Sequence, residues 1–129
     1  MKALRYAWAS PATLVGLLLG LFALALGARA RHVDGCIEFG GGALRAAIAR
    51  LPGPCRFCAI TFGHAILGVD ARTLDVVRAH EHVHVRQYER CGALFFPLYA
   101  GSSLVQFVRG RDPYRDNRFE REAFAAEGA

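Results

Sequence analysis

Three residues in the stretch 78–92, His80, Glu81 and His84, form an HExxH pattern. In a helix, residues four positions apart lie on the same face, so both imidazoles can reach one Zn²⁺ ion with bonds of about 2.0–2.1 Å. Glu81 lies one position round from His80, where it can hold a water molecule on the metal instead of binding the metal. Zinc lowers the pKa of that water, and the carboxylate can take its proton as it attacks a carbonyl.

The alternative interpretation is a solvated helix whose histidines recur by chance. Against it, His80 and His84 fall on a stripe that recurs at three- and four-residue steps and is expected to be buried; its other members are Val76, Val77, Val83, Gln87, Tyr88 and Cys91. Imidazoles without polar partners are costly in such a place. The pattern therefore favours a metal site. His82 falls on another face, and we interpret it as a surface or supporting residue.

A catalytic zinc ion needs a third protein ligand and an open position for water. The downstream candidates are Glu120 and Glu122, in the stretch DNRFEREAFAAE. Glu120 has a second possible role, because with Asn117 as N-cap it occupies the third helical position, where a glutamate commonly closes a capping box. If Glu120 has that role, Glu122 is the reserve ligand.

The HExxH motif followed by a helix that carries ExxA resembles the gluzincins, a family of zinc metallopeptidases in which the glutamate that opens ExxA completes the metal site. The resemblance covers roughly residues 70–127. Within the family, the chain is similar both to a membrane-embedded CAAX-prenyl-protease type and to a small soluble type. The matching residues are His80, Glu81, His84, Glu120 and Ala123.

This resemblance implies a zincin-like fold, Zn²⁺ as the cofactor and a peptide or protein as the substrate. It implies His80, His84 and Glu120 as metal ligands, with Glu120 preferred to Glu122, and Glu81 as the catalytic base. It also implies that a strand before the metal helix lines the substrate cleft, for which the stretch AITFGHAILG is the candidate. We expect His64, in that stretch, to be an ordinary half-buried strand residue.

One position departs from the family pattern. Relatives of this kind usually carry Asp or Asn four residues after the ligand glutamate, where it braces a zinc histidine, but here that position is Phe124. The brace has to come from elsewhere, with Asp116 and Gln87 as candidates, or be missing. A missing brace leads to the alternative function, a catalytically inactive, membrane-anchored zinc-binding protein with a structural or regulatory role.

The N-terminal residues 6–28 carry no charge and are mostly Leu, Ala, Gly, Val and Phe. As a helix, 23 residues give roughly 35 Å, enough for a hydrocarbon core of about 30 Å. A signal peptide is the alternative, but Arg29 and Arg31 lie where signal peptides usually keep small neutral residues. We therefore expect residues 1–31 to form a single-pass membrane anchor and residues 32–129 the zincin-like domain.

The basic residues give little guidance on orientation, because they flank the anchor on both sides; we favour a cytoplasmic domain slightly. The chain has 16 Lys and Arg against 11 Asp and Glu, spread along the sequence. This distribution does not indicate a nucleic-acid surface, and basic residues near an anchor suit anionic lipid headgroups.

The four cysteines, Cys36, Cys55, Cys58 and Cys91, are interpreted as unpaired structural thiols, with a single disulfide as the second choice. A thiolate zinc module built on Cys55 and Cys58 ranks last, because the chain has no second CxxC.

The remaining pattern predicts a small α+β domain: a short sheet, the HExxH helix, an apolar connecting helix and a C-terminal glutamate helix. We expect one strand in 32–42, a helix in 43–54 and one strand or a bent pair in 56–70. The HExxH helix should begin at Asp70 or Thr73 and end at Gly92. The uncharged run 92–108, broken by a proline and a glycine, is predicted to be a core helix or a segment at the membrane surface. Asn117 or Asp116 should cap the last helix.

Overall fold

The computed structural model describes residues 2–52 and 57–127, which form a mixed α+β fold with five helices and four strands. The elements are α1 (Lys2–Ala25), β1 (Arg29–Val33), β2 (Cys36–Gly40), α2 (Leu44–Ala49), β3 (Ala59–Phe62), β4 (Ala65–Gly68), α3 (Ala71–Cys91), a 3₁₀ turn (Gly92–Leu94), α4 (Phe95–Val108) and α5 (Arg118–Glu127). The strand order in the sheet is β1-β2-β4-β3, with β2 and β4 parallel and the other two pairs antiparallel.

The first half of the sheet is a hairpin, so the single strand expected in 32–42 is wrong. Strands β1 and β2 pair from Arg29 opposite Gly40 to Val33 opposite Cys36. The two residues between them, Asp34 and Gly35, have φ angles of 50° and 80°. This is the backbone that two-residue hairpin turns require, and Asp-Gly is among the sequences that favour it.

The second half of the sheet is the pair β3 and β4, which confirms the bent pair as one of the two expectations for this segment. Gly63, with φ of 61°, makes the turn between them. Every residue of β4 is buried, whereas β3 forms an edge of the sheet. That edge runs beside α3 and carries the cavity described below.

Helix α3 begins and ends where local sequence signals place it. The backbone N–H of Thr73 donates to Asp70 Oδ1 over 2.7 Å, which confirms Asp70, not Thr73, as the N-cap. Gly92 follows the helix with φ of 58°, a value that glycine adopts without strain. Helix α2 ends at Ala49, earlier than the predicted helix in 43–54.

The sheet has helices on both faces. Residues of β2 and β4 pack against α1 and α2 on one face in a cluster that includes Phe39, Ala65 and Leu67. On the other face, Ile66 packs against Leu74 and Val85 of α3. The predicted anchor and the predicted domain therefore share a hydrophobic core.

Two glycines let α1 lie close to the sheet. A Cβ atom added to Gly16 would lie 2.7 Å from the Ala65 Cβ atom, and one added to Gly20 would lie 2.4 Å from the Phe39 ring. Both approaches are shorter than atoms tolerate, so larger residues would push the helix away.

The outer face of α1 is apolar and exposed. Within Ala3–Ala25 the most apolar window of 18 residues has a mean hydropathy of 1.8, so α1 is long and apolar enough to cross a membrane, although a signal sequence has the same properties. Its exposed large apolar residues are Leu4, Trp8, Leu14, Val15, Leu18, Leu19, Leu21, Phe22 and Leu24.

Helix α4 is continuous, although Pro97 and Gly101 were expected to break the run. Pro97 lies in the first turn, where its missing N–H leaves no helical hydrogen bond unmade. Helix α5 begins after Asn117, whose Oδ1 accepts from the Phe119 N–H over 2.8 Å, so Asn117, not Asp116, is the cap.

The described cysteines are unpaired. Cys36 is buried in the core, Cys58 is exposed and Cys91 is half-buried. The raised pKa of Cys36, about 11, is caused first by burial and keeps it a neutral thiol. Cys55, and with it the thiolate zinc module, lies outside the described residues.

Candidate metal centre

Helix α3 presents His80 and His84 on one buried face. Both side chains lie one turn apart, with ring centroids 5.1 Å apart, and the residues are 4% and 6% exposed. Val83 and Tyr88, on the same predicted stripe, are buried, whereas Val76 in the first turns of the helix is 77% exposed, so the stripe is buried only from His80 onward. The histidines therefore lie inside the protein, where each polar nitrogen needs a partner.

Helix α5 brings Glu120 to the two imidazoles. Its Oε1 atom lies 2.9 Å from His80 Nε2 and 3.0 Å from His84 Nε2. Asn117 fixes the start of this helix, because its Nδ2 donates to Tyr99 O over 3.0 Å and to Ser103 Oγ over 2.7 Å. Glu120 thus faces the histidines and does not close a capping box.

The arrangement fits a zinc ion in both donor type and spacing. The three ligand atoms of His80, His84 and Glu120 all lie within 4.8 Å of one another. Two atoms that are each about 2.1 Å from a tetrahedral zinc ion lie about 3.4 Å apart, so little movement is needed to admit the metal. Two nitrogens and one carboxylate oxygen also leave a fourth position open.

Gln87 orients His84 from the side opposite Glu120. Its Oε1 lies 2.8 Å from His84 Nδ1, and its Nε2 donates to Phe119 O over 3.1 Å and to Glu122 Oε1 over 2.9 Å. Because an amide oxygen only accepts, Nδ1 carries the proton, and Nε2 is the nitrogen available to a metal. Of the two predicted braces, Gln87 lies at the site, whereas Asp116 accepts from the Asp112 N–H in the preceding loop.

Glu127 approaches His80 in a way that the sequence analysis missed. Its Oε1 lies 2.9 Å from His80 Nδ1, close enough for an electrostatic contact but without the geometry of a hydrogen bond. Phe124, at the position where an acid was expected, packs edge-on against the His80 ring, with centroids 4.8 Å apart. The carboxylate beside His80 thus comes from one turn further along α5.

Glu122 lies outside the group. Its Oε1 accepts from Arg90 Nη2 over 2.7 Å and from Gln87 Nε2 over 2.9 Å. It is half-exposed, in contrast to the buried Glu120. The structure therefore places Glu120, and not the reserve ligand, with the histidine pair.

Glu81 lies beside His80 and His84 on α3 and is 6% exposed. Its Oε2 accepts a hydrogen bond from Thr61 Oγ1 over 2.7 Å. Burial raises the pKa of Glu81, although the two histidines and Thr61 act in the opposite direction. Thr61 was not singled out in the sequence, because only the paired strand brings it to the helix.

Glu120 and the two histidines shift one another's pKa values. Burial alone would raise the pKa of Glu120, but the hydrogen bonds from His80 and His84 outweigh it and lower the pKa to about 2. Burial lowers the pKa of each histidine, and the Glu120 carboxylate reverses this, so that both pKa values are raised. A metal ion that binds here therefore competes with protons for the imidazoles.

A cavity of 820 Å³ opens beside the group and is lined by β3, α3, α4 and α5. His80, Glu81, His84 and Glu120 all face it. At the wall of the cavity, Tyr99 Oη donates to Glu120 Oε2 over 2.5 Å. The aromatic lining residues are Phe57, Phe62, Tyr88, Phe95, Phe96, Tyr99, Tyr114 and Phe124.

The other two predicted histidines lie away from the cavity. His64 is in the turn between β3 and β4, not in a strand, and is only 5% exposed, so the expectation of a half-buried strand residue is wrong. It stacks on Tyr6 and lies 2.8 Å from Glu89 Oε2, which ties α1 to α3. His82 is half-buried on another face of α3.

The fold and the group define a small α+β protein with a buried His/His/Glu group that could hold a metal ion. No protein-family model, curated protein or solved structure matches this chain. The function therefore has to be argued from the site itself.

Proposed function

We propose that this protein is a membrane-associated zinc metallopeptidase with a zincin-like fold of the gluzincin type. The observation that carries the proposal is the convergence of His80, His84 and Glu120 on one buried point, with Glu81 beside it at the wall of an 820 Å³ cavity. These residue types, in these places, suit metal-assisted hydrolysis of a peptide bond.

In this proposal, a bound zinc ion supplies the acidification of water and the polarisation of the substrate carbonyl. Glu81 takes the proton from the attacking water and gives it to the amine that leaves as the C–N bond breaks. Thr61 holds one oxygen of that carboxylate, so the other is available to the water. Gln87 and Glu127 hold the two imidazoles from outside the ligand group.

The substrate binds along strand β3. One side of β3 pairs with β4, and the cavity is lined by residues 57–62 at its other side. An extended peptide can add to such an edge by backbone hydrogen bonds, with its side chains in the aromatic cavity. We propose that helix α1 holds this cleft at a membrane through its exposed apolar face, since its other face packs on the sheet.

The test uses the purified full-length chain in detergent. We expect one zinc ion per chain by metal analysis, and cleavage of a mixed peptide library that a chelator stops and added zinc restores. His80→Ala should lose both the metal and the cleavage. His82→Ala, on the same helix but outside the group, should keep both. Cleavage that survives complete metal removal would refute the proposal.

A catalytically inactive zinc-binding protein is the second candidate. It is favoured by Phe124, which packs on His80 where an acid was expected. Retention of zinc by the wild-type chain, without cleavage of any peptide in the library, would support this candidate.

A further inference from the structure

Helix α4 carries no charge, and Phe95 is its one buried residue. Its polar residues, Tyr99, Ser102, Ser103 and Gln106, are half-buried, so the exposed face is the apolar one. The uncharged run 92–108 is followed by Arg109, and within the helical run Ala71–Val108 the most apolar window has a mean hydropathy of 1.4, with 11% of it buried. An apolar helix face of this length is normally covered by protein or by lipid. The exposed large apolar residues of this segment are Leu94, Phe96, Leu98, Leu104, Val105, Phe107 and Val108.

Helix α4 begins beside α1. Trp8 Nε1 donates to Arg90 O over 3.2 Å, and a Cβ atom on Gly92 would lie 2.7 Å from the Trp8 side chain. Ala9 of α1 lies in the same buried cluster as Phe95 of α4. The two helices thus meet where α4 begins, and whatever covers the outer face of α1 is next to α4.

The charges that flank α4 are positive. Arg109 and Arg111 follow the uncharged run, and no acidic residue occurs between Glu89 and Asp112. Arg90 precedes the run; it pairs with Glu122 but stays largely exposed. Arginines at the ends of an apolar segment suit the anionic headgroups of a lipid surface. This segment has no acidic residue that could pair with the arginines of a second copy of the same face.

We propose that α4 inserts into the bilayer beside α1, so that the two outer faces form one lipid-contacting surface. Its 14 residues give roughly 21 Å, less than the hydrocarbon thickness of about 30 Å, so α4 lies in the interface and does not cross. Its exposed apolar side chains contact acyl chains, and its flanking arginines contact headgroups.

Insertion of α4 places the cavity at the membrane surface. The same helix contributes Phe95, Phe96 and Tyr99 to the cavity wall. If the chain is a peptidase, its substrate is then a membrane-proximal segment of another protein. This consequence rests on the proposed function, whereas the insertion of α4 does not.

The test exploits the single tryptophan of the chain, Trp8. In a Trp8→Phe background, the full-length protein carries one new tryptophan, Leu104→Trp or Phe107→Trp. Each variant is placed in vesicles of phosphatidylcholine and phosphatidylglycerol whose brominated acyl chains quench tryptophan emission on contact. We expect both to lose most of their emission, as Leu18→Trp on the outer face of α1 should. Val76→Trp, exposed on α3 between charged residues, should keep its emission.

Quenching of Leu18→Trp alone would place α4 outside the bilayer and overturn the proposal. A concentration-dependent dimer with unquenched Leu104→Trp would overturn it in favour of a second copy. An unchanged Tm shows that each variant folds, so a missing signal cannot be assigned to unfolding.

A second experiment tests the consequence for the substrate. Leu104→Glu combined with Phe107→Glu should lose most cleavage of a vesicle-anchored peptide and keep cleavage of the same peptide in solution. Equal loss of both would refute the link between insertion and substrate. Absence of cleavage in the wild-type chain would refute the proposed function and leave the quenching result standing.

Discussion

Thr61 on β3 donates a hydrogen bond to Glu81 on α3, with 2.7 Å between Oγ1 and Oε2. The same threonine hydroxyl also lies 3.4 Å from the Glu81 carbonyl oxygen. The contact joins the edge strand to the HExxH helix, so the proposed peptide-binding edge and the proposed base form one unit. It also fixes which carboxylate oxygen is left to accept a proton.

The first prediction concerns Glu81 itself. Glu81→Gln keeps the shape of the side chain and can still contact Thr61, but an amide cannot take a proton from water. We expect hydrolysis to fall by at least about 100-fold, the lower range for a lost general base, while zinc content is unchanged. Turnover and bound metal are measured on the same sample. Retained turnover would show that Glu81 is not the base.

The second prediction concerns the hydroxyl of Thr61. Thr61→Val removes the hydrogen bond and keeps the branched shape, so kcat should fall about tenfold, equivalent to about 1.4 kcal/mol, with KM little changed. Thr61→Ser restores the hydroxyl and should restore most of kcat. An equal loss in both variants would indicate that Thr61 acts by packing alone.

Local signals were sufficient for the HExxH helix. The apolar stripe, the Asp70 cap and the Gly92 stop each depend on residues within a few positions of one another, and the structure has the helix where they place it. The same kind of local signal, Asp34-Gly35, was present in the first hairpin but was not recognised. That error concerned turn chemistry and not tertiary structure.

Contacts between distant elements could not be predicted in the same way. Glu127 reaches His80 only because α5 crosses α3 at a particular angle. Gly16 and Gly20 were counted as part of an apolar anchor, whereas they mark the places where α1 touches the sheet. Small residues suit both a membrane helix and a close contact, so composition alone cannot separate these roles.

The third prediction concerns the two side chains that brace the histidines. Gln87→Ala removes the acceptor at His84 Nδ1, and Glu127→Gln removes the charge beside His80 Nδ1. Each change should weaken zinc affinity by about 10- to 100-fold, measured by competition with a chelator. Glu122→Gln, on the same helix as Glu127, removes a charge but keeps an amide oxygen that can accept from Gln87 Nε2, so it is the matched control and should bind zinc as the wild type does.

Equal affinity of Glu127→Gln and Glu122→Gln would show that the Glu127 contact does not support the metal. Because Glu127 is half-exposed, we expect its effect to lie at the lower end of that range and the effect of the buried Gln87 at the upper end.

The fourth prediction concerns stability in acid and depends on Glu38, which is 1% exposed on β2. Burial raises the pKa of Glu38, but hydrogen bonds from Arg78 and Arg31 outweigh it, so the pKa is lowered from its ordinary value of 4.5. A lowered folded-state pKa gives stability that is present above about pH 4.5 and is lost as the pH falls through the folded-state value.

Glu38→Gln should therefore lower the free energy of unfolding by about 1–3 kcal/mol at neutral pH. Between pH 5 and pH 3 the variant should lose less further stability than the wild type does. Both effects are measured by urea unfolding at each pH. Asp75→Asn is the matched control, because Asp75 contacts the same two guanidinium groups through its exposed carboxylate. Exposure screens that ion pair, so the control should follow the wild-type pH dependence closely. If Glu38→Gln lost as much stability in acid as the wild type does, other carboxylates would control that loss. Glu38 and its two arginine partners would then contribute packing instead of charge.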